Sequence, residues 1–335
     1  MEVATASGAS VDPSELGFTL LTEHIFLIDA ETRLNWPDRF GDVDARVDDA
    51  VAKLEEAARH GVQTLVDRTM VGVGRDVALI KRVAERSPVN ILVCTGLYTW
   101  SDLPLHVLFR AHGRQFEGRR EQIEDFMIRD VEEGIPGTGV RAAVIKCVAD
   151  APGITPGVEE AIRAAARAHR RTGAPIFTHT NGAAIGLEQQ RLLADEGVDL
   201  GRVVVGHIDR TPPDEVGKIE QVILNGSLVG FDSFGFRPPA GPPMERDEVR
   251  LGWVADLCAR GHAERIVLAH DQTAFSDLEP PELVDEIARE RGTWTWLSDV
   301  GLDMLRELGV SDAQIDQMMV ANPRRIFEAA GDGAY

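Results

Sequence analysis

Eight short apolar segments recur along the chain, and they constrain its fold more than any other feature. They are GFTLL (17–21), VQTLV (62–66), NILVC (90–94), AAVIK (142–146), APIFT (174–178), RVVVG (202–206), SLVGF (227–231) and RIVLA (265–269). Several are nearly continuous in hydrophobicity, which is typical of parallel β-strands that are covered on both faces. The sequence therefore predicts eight buried strands.

Longer amphipathic patterns separate these segments. The clearest are VDDAVAKLEEAARHG (47–61), RDVALIKRVAERS (75–87) and VEEAIRAAARAHRRTG (158–173). Strands that alternate with helices indicate βαβ units and a parallel sheet. Eight units favour a closed (β/α)8 TIM barrel over an open doubly wound sheet. The phosphate-binding pattern GxGxxG is absent after the first strand, and the glycine-rich stretch at 72–76 lacks its third glycine.

The length of 335 residues suits one barrel, a fold that typically takes ~250 residues and exceeds ~400 with insertions. We expect a flexible tail over residues 1–12 and a single barrel domain over 13–335. Two stretches, 99–125 and 233–247, are expected to form long functional loops after the third and seventh strands.

Composition limits the partners of the chain. With 55 acidic and 35 basic residues, the net charge of −20 would repel a phosphate backbone, so nucleic acid and anionic membranes are not expected partners. The first residues lack the basic and apolar regions of a signal peptide. Three widely spaced cysteines argue against a disulfide-stapled secreted domain, which favours a cytoplasmic location.

Metal-capable side chains fall at the ends of the predicted strands, which form the functional face of an α/β barrel. Lys146 ends the fourth strand, and Asp271 follows the eighth. The histidines at strand ends are His24, His179, His207 and His270. A single histidine of this kind is more often structural than functional. Imidazoles and carboxylates that converge from separate strands, however, suit zinc, manganese, cobalt or iron.

Lys146 is unusual in such a set, because its ammonium group would repel a metal cation. Carboxylation of the amine by CO2 would make it an anionic ligand able to bridge two metal ions about 3.5–4 Å apart. Alternatively, an unmodified Lys146 would attack a carbonyl group and form a Schiff base, as in a lyase or aldolase. The surrounding histidines would then be superfluous.

From about Gly17 to Phe327 the chain resembles the phosphotriesterase family of the amidohydrolase superfamily, including its lactonase-like branch. The matching blocks are GFTLLTEHIF, LVDRTMVGVGRDV, VCTGLYTW, AAVIKCV, IFTHTNGA, VVVGHIDRT, VGFDSFG, IVLAHDQ and ANPRRIF. The resemblance implies a TIM barrel with a binuclear site. In that site an HxH pair and an aspartate hold a buried α metal, two histidines hold a more exposed β metal, and a carboxylated lysine bridges them.

Residue by residue, the resemblance implies roles for five side chains. Lys146 matches the bridging lysine, and His179 and His207 match the β-metal histidines. Asp271 matches the aspartate that binds the α metal and accepts the proton of the attacking water. Tyr98 looks like the tyrosine that the lactonase-like branch places near the substrate, although a packing role fits it equally well.

The implied function is that of a metal-dependent hydrolase, lactonase-like or aryldialkylphosphatase-like. It would use zinc to cleave a small neutral ester, a lactone or an organophosphate triester, and the resemblance also implies a homodimer. Asp232 and Arg237, at the end of the seventh strand and in the loop after it, match the region where the family shapes its substrate pocket.

The chain departs from the family at the HxH pair, which reads Thr22-Glu23-His24. Side chains two apart on a strand share a face, so Thr22 and His24 point together and Glu23 points away. A neutral hydroxyl is a poor zinc ligand, so the α site keeps His24 and Asp271 but is weakened. Thr22→His is then expected to restore a second metal ion. Alternatively, the chain is an inactive family member that binds a ligand without turnover.

Overall fold

A computed structural model describes residues 2–111, 123–235, 244–278 and 293–329. In these ranges the strands are β1 (Val3–Ala4), β2 (Ser10–Val11), β3 (Thr19–Leu27), β4 (Thr64–Asp67), β5 (Asn90–Gly96), β6 (Val144–Val148), β7 (Ile176–His179), β8 (Val203–Val205), β9 (Leu228–Phe231), β10 (Ile266–Leu268) and β11 (Thr273–Ser276). The α-helices are α1 (Ala30–Asn35), α2 (Val43–Arg59), α3 (Val77–Ala84), α4 (Leu105–Ala111), α5 (Ile123–Glu132), α6 (Pro156–Thr172), α7 (Ala183–Asp195), α8 (Gly217–Leu224), α9 (Asp247–Ala259), α10 (Leu302–Glu307), α11 (Asp312–Asp316) and α12 (Asn322–Ala329).

Nine of the described strands form one parallel sheet, in the order β10-β9-β8-β7-β6-β5-β4-β3-β11. The eighth predicted segment continues from β10, which pairs with β9, into β11, which pairs with β3. Between them the Asp271 amide donates to the Thr22 carbonyl at 3.1 Å, and the His24 amide donates to the Gln272 carbonyl at 2.9 Å. The sheet therefore closes on itself, and the prediction of a TIM barrel is confirmed.

Neighbouring residues of the central strands face two different apolar cores. Val66 belongs to the core inside the barrel, whereas Leu65 packs toward the outer helices. Val144 and Ile145 divide in the same way, as do other adjacent pairs along the sheet. Because both faces are buried, the strands appear in the sequence as continuous apolar runs rather than as alternating ones.

The outer helices follow the amphipathic patterns. Helix α6 is capped at its start by the Thr155 hydroxyl, which accepts a hydrogen bond from the Val158 amide at 3.4 Å. It ends at Gly173, whose φ of 76° is the left-handed conformation that glycine adopts without steric cost. In the ranges described, none of the helices combines the length and the apolar character needed to cross a lipid bilayer.

The N-terminal segment differs from the predicted flexible tail. β1 and β2 pair as a short antiparallel ladder that sets Val3 opposite Val11. The Ala6 amide donates to the Ile91 carbonyl at 2.7 Å, and the Val3 side chain joins the core inside the barrel. The tail prediction is therefore wrong for these described residues. The strands could not be predicted, because two residues are too few to leave a periodic pattern in the sequence.

Glu23 holds the seam where the barrel closes. It is fully buried, and its carboxylate accepts hydrogen bonds from the amide and Nδ1 of His270 at 2.9 and 2.8 Å and from the Gln272 amide at 2.9 Å. Glu23 thus faces away from Thr22 and His24, as the alternation along β3 predicts. His270, one of the strand-end histidines, has this structural role.

Glu23→Ala is expected to lower the free energy of unfolding by about 3–5 kcal/mol, since it leaves the buried donors of His270 and Gln272 without their acceptor. Urea denaturation measures the loss. Glu55→Ala, on the exposed face of α2, is the control, with an expected change within about 0.5 kcal/mol. Equal losses in the two variants would contradict a structural role for Glu23.

Candidate active site

The backbone is strained at two candidate residues. Among the described non-glycine residues, His207 and Asp271 are those with positive φ, at 54° and 57°. His207 follows β8 and Asp271 follows β10, so both lie at the carboxyl ends of barrel strands. The left-handed conformation is costly for such residues and persists where the surroundings hold it in place, as at functional sites.

The Asp271 carboxylate lies among three cationic or imidazole groups. Its Oδ1 lies 3.5 Å from His24 Nε2, and its Oδ2 accepts a hydrogen bond from Arg210 at 3.0 Å. His207 Nδ1 is 3.9 Å from the same Oδ2. Burial alone would raise the pKa of Asp271, but the nearby His207, the contact with His24 and the charge of Arg210 bring it well below its usual range. Asp271 is therefore ionised at neutral pH.

His179 and His207 lie side by side, with ring centroids 4.4 Å apart in an edge-to-face arrangement. Burial lowers the pKa of both imidazoles, so each is neutral at pH 7, the form that binds metal ions. His207 Nδ1 donates to Asp232 Oδ1 at 2.7 Å, which leaves its Nε2 free of that bond. His179 Nε2 is buried without a hydrogen-bond partner, 3.4 Å from Asp150 Oδ2. This orphaned nitrogen is available to a ligand.

Lys146 lies inside the barrel and is only 2 % exposed. Burial, reinforced by the positive charge of Arg68, lowers the pKa of Lys146 to about 7. At neutral pH a large fraction of the side chain is then the free amine, which is the form that reacts with CO2 or with a carbonyl group. Both chemical alternatives for Lys146 start from this neutral amine.

Tyr98 lies beside His179, with ring centroids 6.1 Å apart. Its hydroxyl donates to Asp150 Oδ2 at 2.6 Å, and Asn181 donates to the other carboxylate oxygen at 2.7 Å. Burial and the hydrogen bond to Asp150 raise the pKa of Tyr98 above its usual value, so the phenol stays neutral. Its proton is directed to Asp150, which in turn approaches His179.

The sequence predicted Asp232 as a substrate-pocket residue. Its side chain is only 1 % exposed, so it is not part of an open pocket. Its two oxygens accept from His207 and from the Thr22 hydroxyl, the latter at 2.8 Å, and Arg68 lies 3.4 Å away. Asp232 is therefore a positioning residue inside the barrel. Arg237, the second residue predicted for the pocket, lies outside the described residues.

Sequence reasoning missed Arg68, Asp150 and Arg210, which all contact predicted site residues. Each follows a strand, so position alone could have identified them. Arginine does not ligate metal ions, so a pattern of metal ligands does not identify Arg68 or Arg210. Asp150 was missed although its carboxylate is a possible ligand, because it lies four residues beyond Lys146 in a loop.

The contacts of these residues fit one metal position better than the other. At the β position, His179 and His207 offer neutral imidazoles, and a carboxylated Lys146 would supply a third ligand. Within the described ranges, His, Cys, Asp and Glu residues alone form no group of three or more that could hold a metal ion. At the α position, Thr22 already donates its hydroxyl to Asp232. That position keeps His24 and Asp271 but lacks the second histidine, which would weaken the binding of a second ion.

The closed barrel and the ionisable groups gathered at the ends of its strands define an α/β-barrel protein of the TIM class with an enzyme-like site. The chain belongs to the phosphotriesterase family, whose model matches residues 1–327. A phosphotriesterase homology protein of Mycobacterium tuberculosis is 44% identical, with 98% of both chains covered. An aryldialkylphosphatase of Saccharolobus solfataricus is 33% identical, covering 98% of this chain and 100% of its own. The solved structure of the phosphotriesterase from Mycobacterium tuberculosis superposes with a TM-score of 0.92, at 42% identity and full coverage of both chains.

Proposed function

We propose that the chain is a metal-dependent hydrolase that cleaves a small neutral ester, a lactone or an organophosphate triester. The observation that carries the proposal is the pair of neutral imidazoles of His179 and His207, 4.4 Å apart between ring centroids. Lys146 supplies a buried amine inside the barrel, and the ionised carboxylate of Asp271 lies 3.9 Å from His207. Membership of a family that includes a protein named aryldialkylphosphatase supports the hydrolytic reaction.

His179, His207 and a carboxylated Lys146 would hold one divalent ion, with zinc the best match to nitrogen and oxygen ligands. When bound, such an ion lowers the pKa of water and polarises a carbonyl or phosphoryl oxygen. Asp232 positions His207 beside the ion. Its Oδ1 accepts hydrogen bonds from Nδ1 and from the backbone amide of His207, the amide at 2.8 Å. The hydrogen bond from Nδ1 fixes the orientation of the ring and its tautomer.

Asp271 is proposed to accept the proton of the attacking water. Its low pKa keeps it ionised at neutral pH, and the contacts with Arg210 and His24 fix its orientation. Tyr98 keeps its proton, so it contributes to the shape of the substrate site and to the position of Asp150 rather than acting as a base. An uncharged phenol beside the site fits a neutral lactone or ester slightly better than a charged substrate.

A second candidate function is binding without turnover. It is favoured by Thr22, whose hydroxyl is engaged with Asp232, and by the need for a modified lysine to complete the ligand set. In this alternative the barrel keeps a small-molecule site but lacks the activated water. Metal-dependent turnover separates the two functions.

The purified protein, loaded with zinc, is expected to hydrolyse at least one of three probes: an aryl acetate, a γ-lactone or a diethyl aryl phosphate. Chelation should abolish turnover, and added zinc should restore it. His207→Ala should lose turnover, whereas His262→Ala should retain it, because His262 contacts Glu220 on the outer helix α8. Zinc-loaded protein that is inactive on all three classes would support the binding function, and turnover that survives chelation would contradict the metal mechanism.

A further inference from the structure

Arg68 crosses the interior of the barrel next to the candidate site. It directly follows β4, and its side chain has 0 % exposure. Its guanidinium lies over the Phe177 ring, 4.6 Å from the centroid, and its NH1 is 3.4 Å from Asp232 Oδ2. A Cβ atom on Gly206 would come within 3.0 Å of NH1 and within 2.5 Å of the Thr178 carbonyl oxygen. Glycine at 206 thus leaves the space that the guanidinium occupies.

The guanidinium is incompletely paired. Its Nε and NH2 are buried, and neither has a hydrogen-bond partner. A guanidinium keeps its charge even when it is buried, and its donors are costly to leave unsatisfied. The three N–H bonds on these two nitrogens therefore point to an anionic group that the polypeptide itself does not supply there.

Arg68 also shares a contact with Thr22, the residue that replaces the first histidine of the family's HxH pair. Thr22 and Arg68 both approach the same oxygen of Asp232, at 2.8 and 3.4 Å. The charge of Arg68 acts on Asp232 and on Asp271, the carboxylate expected for the inner metal position. Where the family resemblance implies a second metal ion, this chain thus has a hydroxyl that is already in use and a fixed positive charge.

We propose that the guanidinium of Arg68 takes the place of the inner metal ion, so that the site holds one divalent ion, beside His179 and His207. The inference rests on the proposed metal-dependent function and specifies its cofactor stoichiometry. A buried divalent cation next to the guanidinium would be repelled, whereas the guanidinium supplies positive charge without any metal ligands. Thr22 then belongs to an arrangement in which Arg68 supplies the positive charge, rather than being a simple loss of a ligand.

The Phe177 ring, over which the guanidinium of Arg68 lies, belongs to the residue that pairs with Lys146 across β6 and β7. A carboxylated Lys146 would therefore offer the free N–H groups of Arg68 an anionic partner. In carboxylation the amine nitrogen of Lys146 forms a bond to the carbon of CO2, one C=O π bond passes its electrons to oxygen, and one proton leaves to solvent. No oxidant or reductant is required. One oxygen of the resulting carbamate would accept from Arg68 in place of the inner metal ion, and the other would remain for the ion beside His179.

Metal stoichiometry tests the inference. The wild-type chain, stripped and reloaded with zinc, should bind one equivalent by elemental analysis. The sequence pattern alone predicts that Thr22→His gains a second ion, but with Arg68 in place this variant should still bind one. Thr22→His combined with Arg68→Leu should bind two, a twofold increase. Thr22→His combined with Arg86→Leu is the matched control, since Arg86 is half exposed and pairs with Asp48 on α2, and it should bind one.

A second measurement needs only the wild-type chain, in case the double variant does not fold. Loaded with Mn²⁺, it should give the six-line paramagnetic resonance spectrum of an isolated ion. An exchange-coupled pair spectrum, or two equivalents of zinc in the wild type or in Thr22→His, would overturn the role of Arg68 and leave the hydrolase proposal intact. A double variant that folds but still binds one equivalent would also overturn it. A wild-type chain that binds no metal ion would defeat the proposed function together with the inference.

Discussion

Lys146→Met is expected to abolish stable metal binding and to reduce kcat/KM far more than the ~10–100-fold that changes behind a metal ligand cause. Methionine keeps the length and the buried volume of the side chain but removes the nitrogen that becomes the carbamate. The imidazoles of His179 and His207 alone leave an ion with two protein ligands, fewer than the three that zinc enzymes use. Elemental analysis and kinetics on the best of the three probes measure the two losses.

Lys218→Met is the control, because Lys218 lies on helix α8 and pairs with Glu215. It should keep full metal content and activity. Intact mass spectrometry at raised CO2 should show one added CO2 in the wild type and none in Lys146→Met. If borohydride instead traps substrate on Lys146, the Schiff-base alternative is correct and the carbamate is not.

The fold could be predicted because its determinants are local and repeated. Each strand is a short apolar run and each helix an amphipathic one, so the order of elements follows from the sequence alone. The seam could not be predicted in detail. The residues after Leu268 leave β9 and pair with β3, and that exchange depends on Glu23 gathering the amides of His270 and Gln272 from across the barrel.

The candidate site was predictable to the extent that strand ends converge. The inward alternation inside the barrel extends this rule: two residues beyond Val144 lies Lys146, and two beyond Phe177 lies His179. Arg68 likewise lies two residues beyond Val66, which also faces the barrel interior. The alternation therefore identifies which side chains face the interior, but it does not show what they contact there.

The contacts between interior side chains could not be read from the sequence. Asp232 was predicted as a pocket residue, yet it binds Thr22 and His207, which lie more than twenty residues from it along the chain. Arg210 likewise contacts Asp271, which lies 61 residues from it along the chain. Such pairs depend on the exact registration of neighbouring strands, which no local pattern encodes.

Asp271→Asn is expected to lower kcat by about 10²–10⁴-fold, the usual contribution of a positioned general base. Asparagine has almost the same shape and can still accept the hydrogen bond from Arg210, so the fold and the position of the side chain should be preserved. What it lacks is the basic oxygen that takes the proton of water. Asp214→Asn, on an exposed turn, is the control and should leave kcat unchanged.

The metal content of Asp271→Asn decides what the carboxylate does. If the site holds one ion beside His179 and His207, the variant should retain a full equivalent of zinc while losing turnover, because Asp271 belongs to the inner position that Arg68 supplies with charge. A variant that loses both the zinc and the activity would make Asp271 a ligand of that ion rather than its proton acceptor. A variant that keeps its turnover within a few-fold would contradict the role of general base, and Asp150, 3.4 Å from His179 Nε2, would be the next carboxylate to replace.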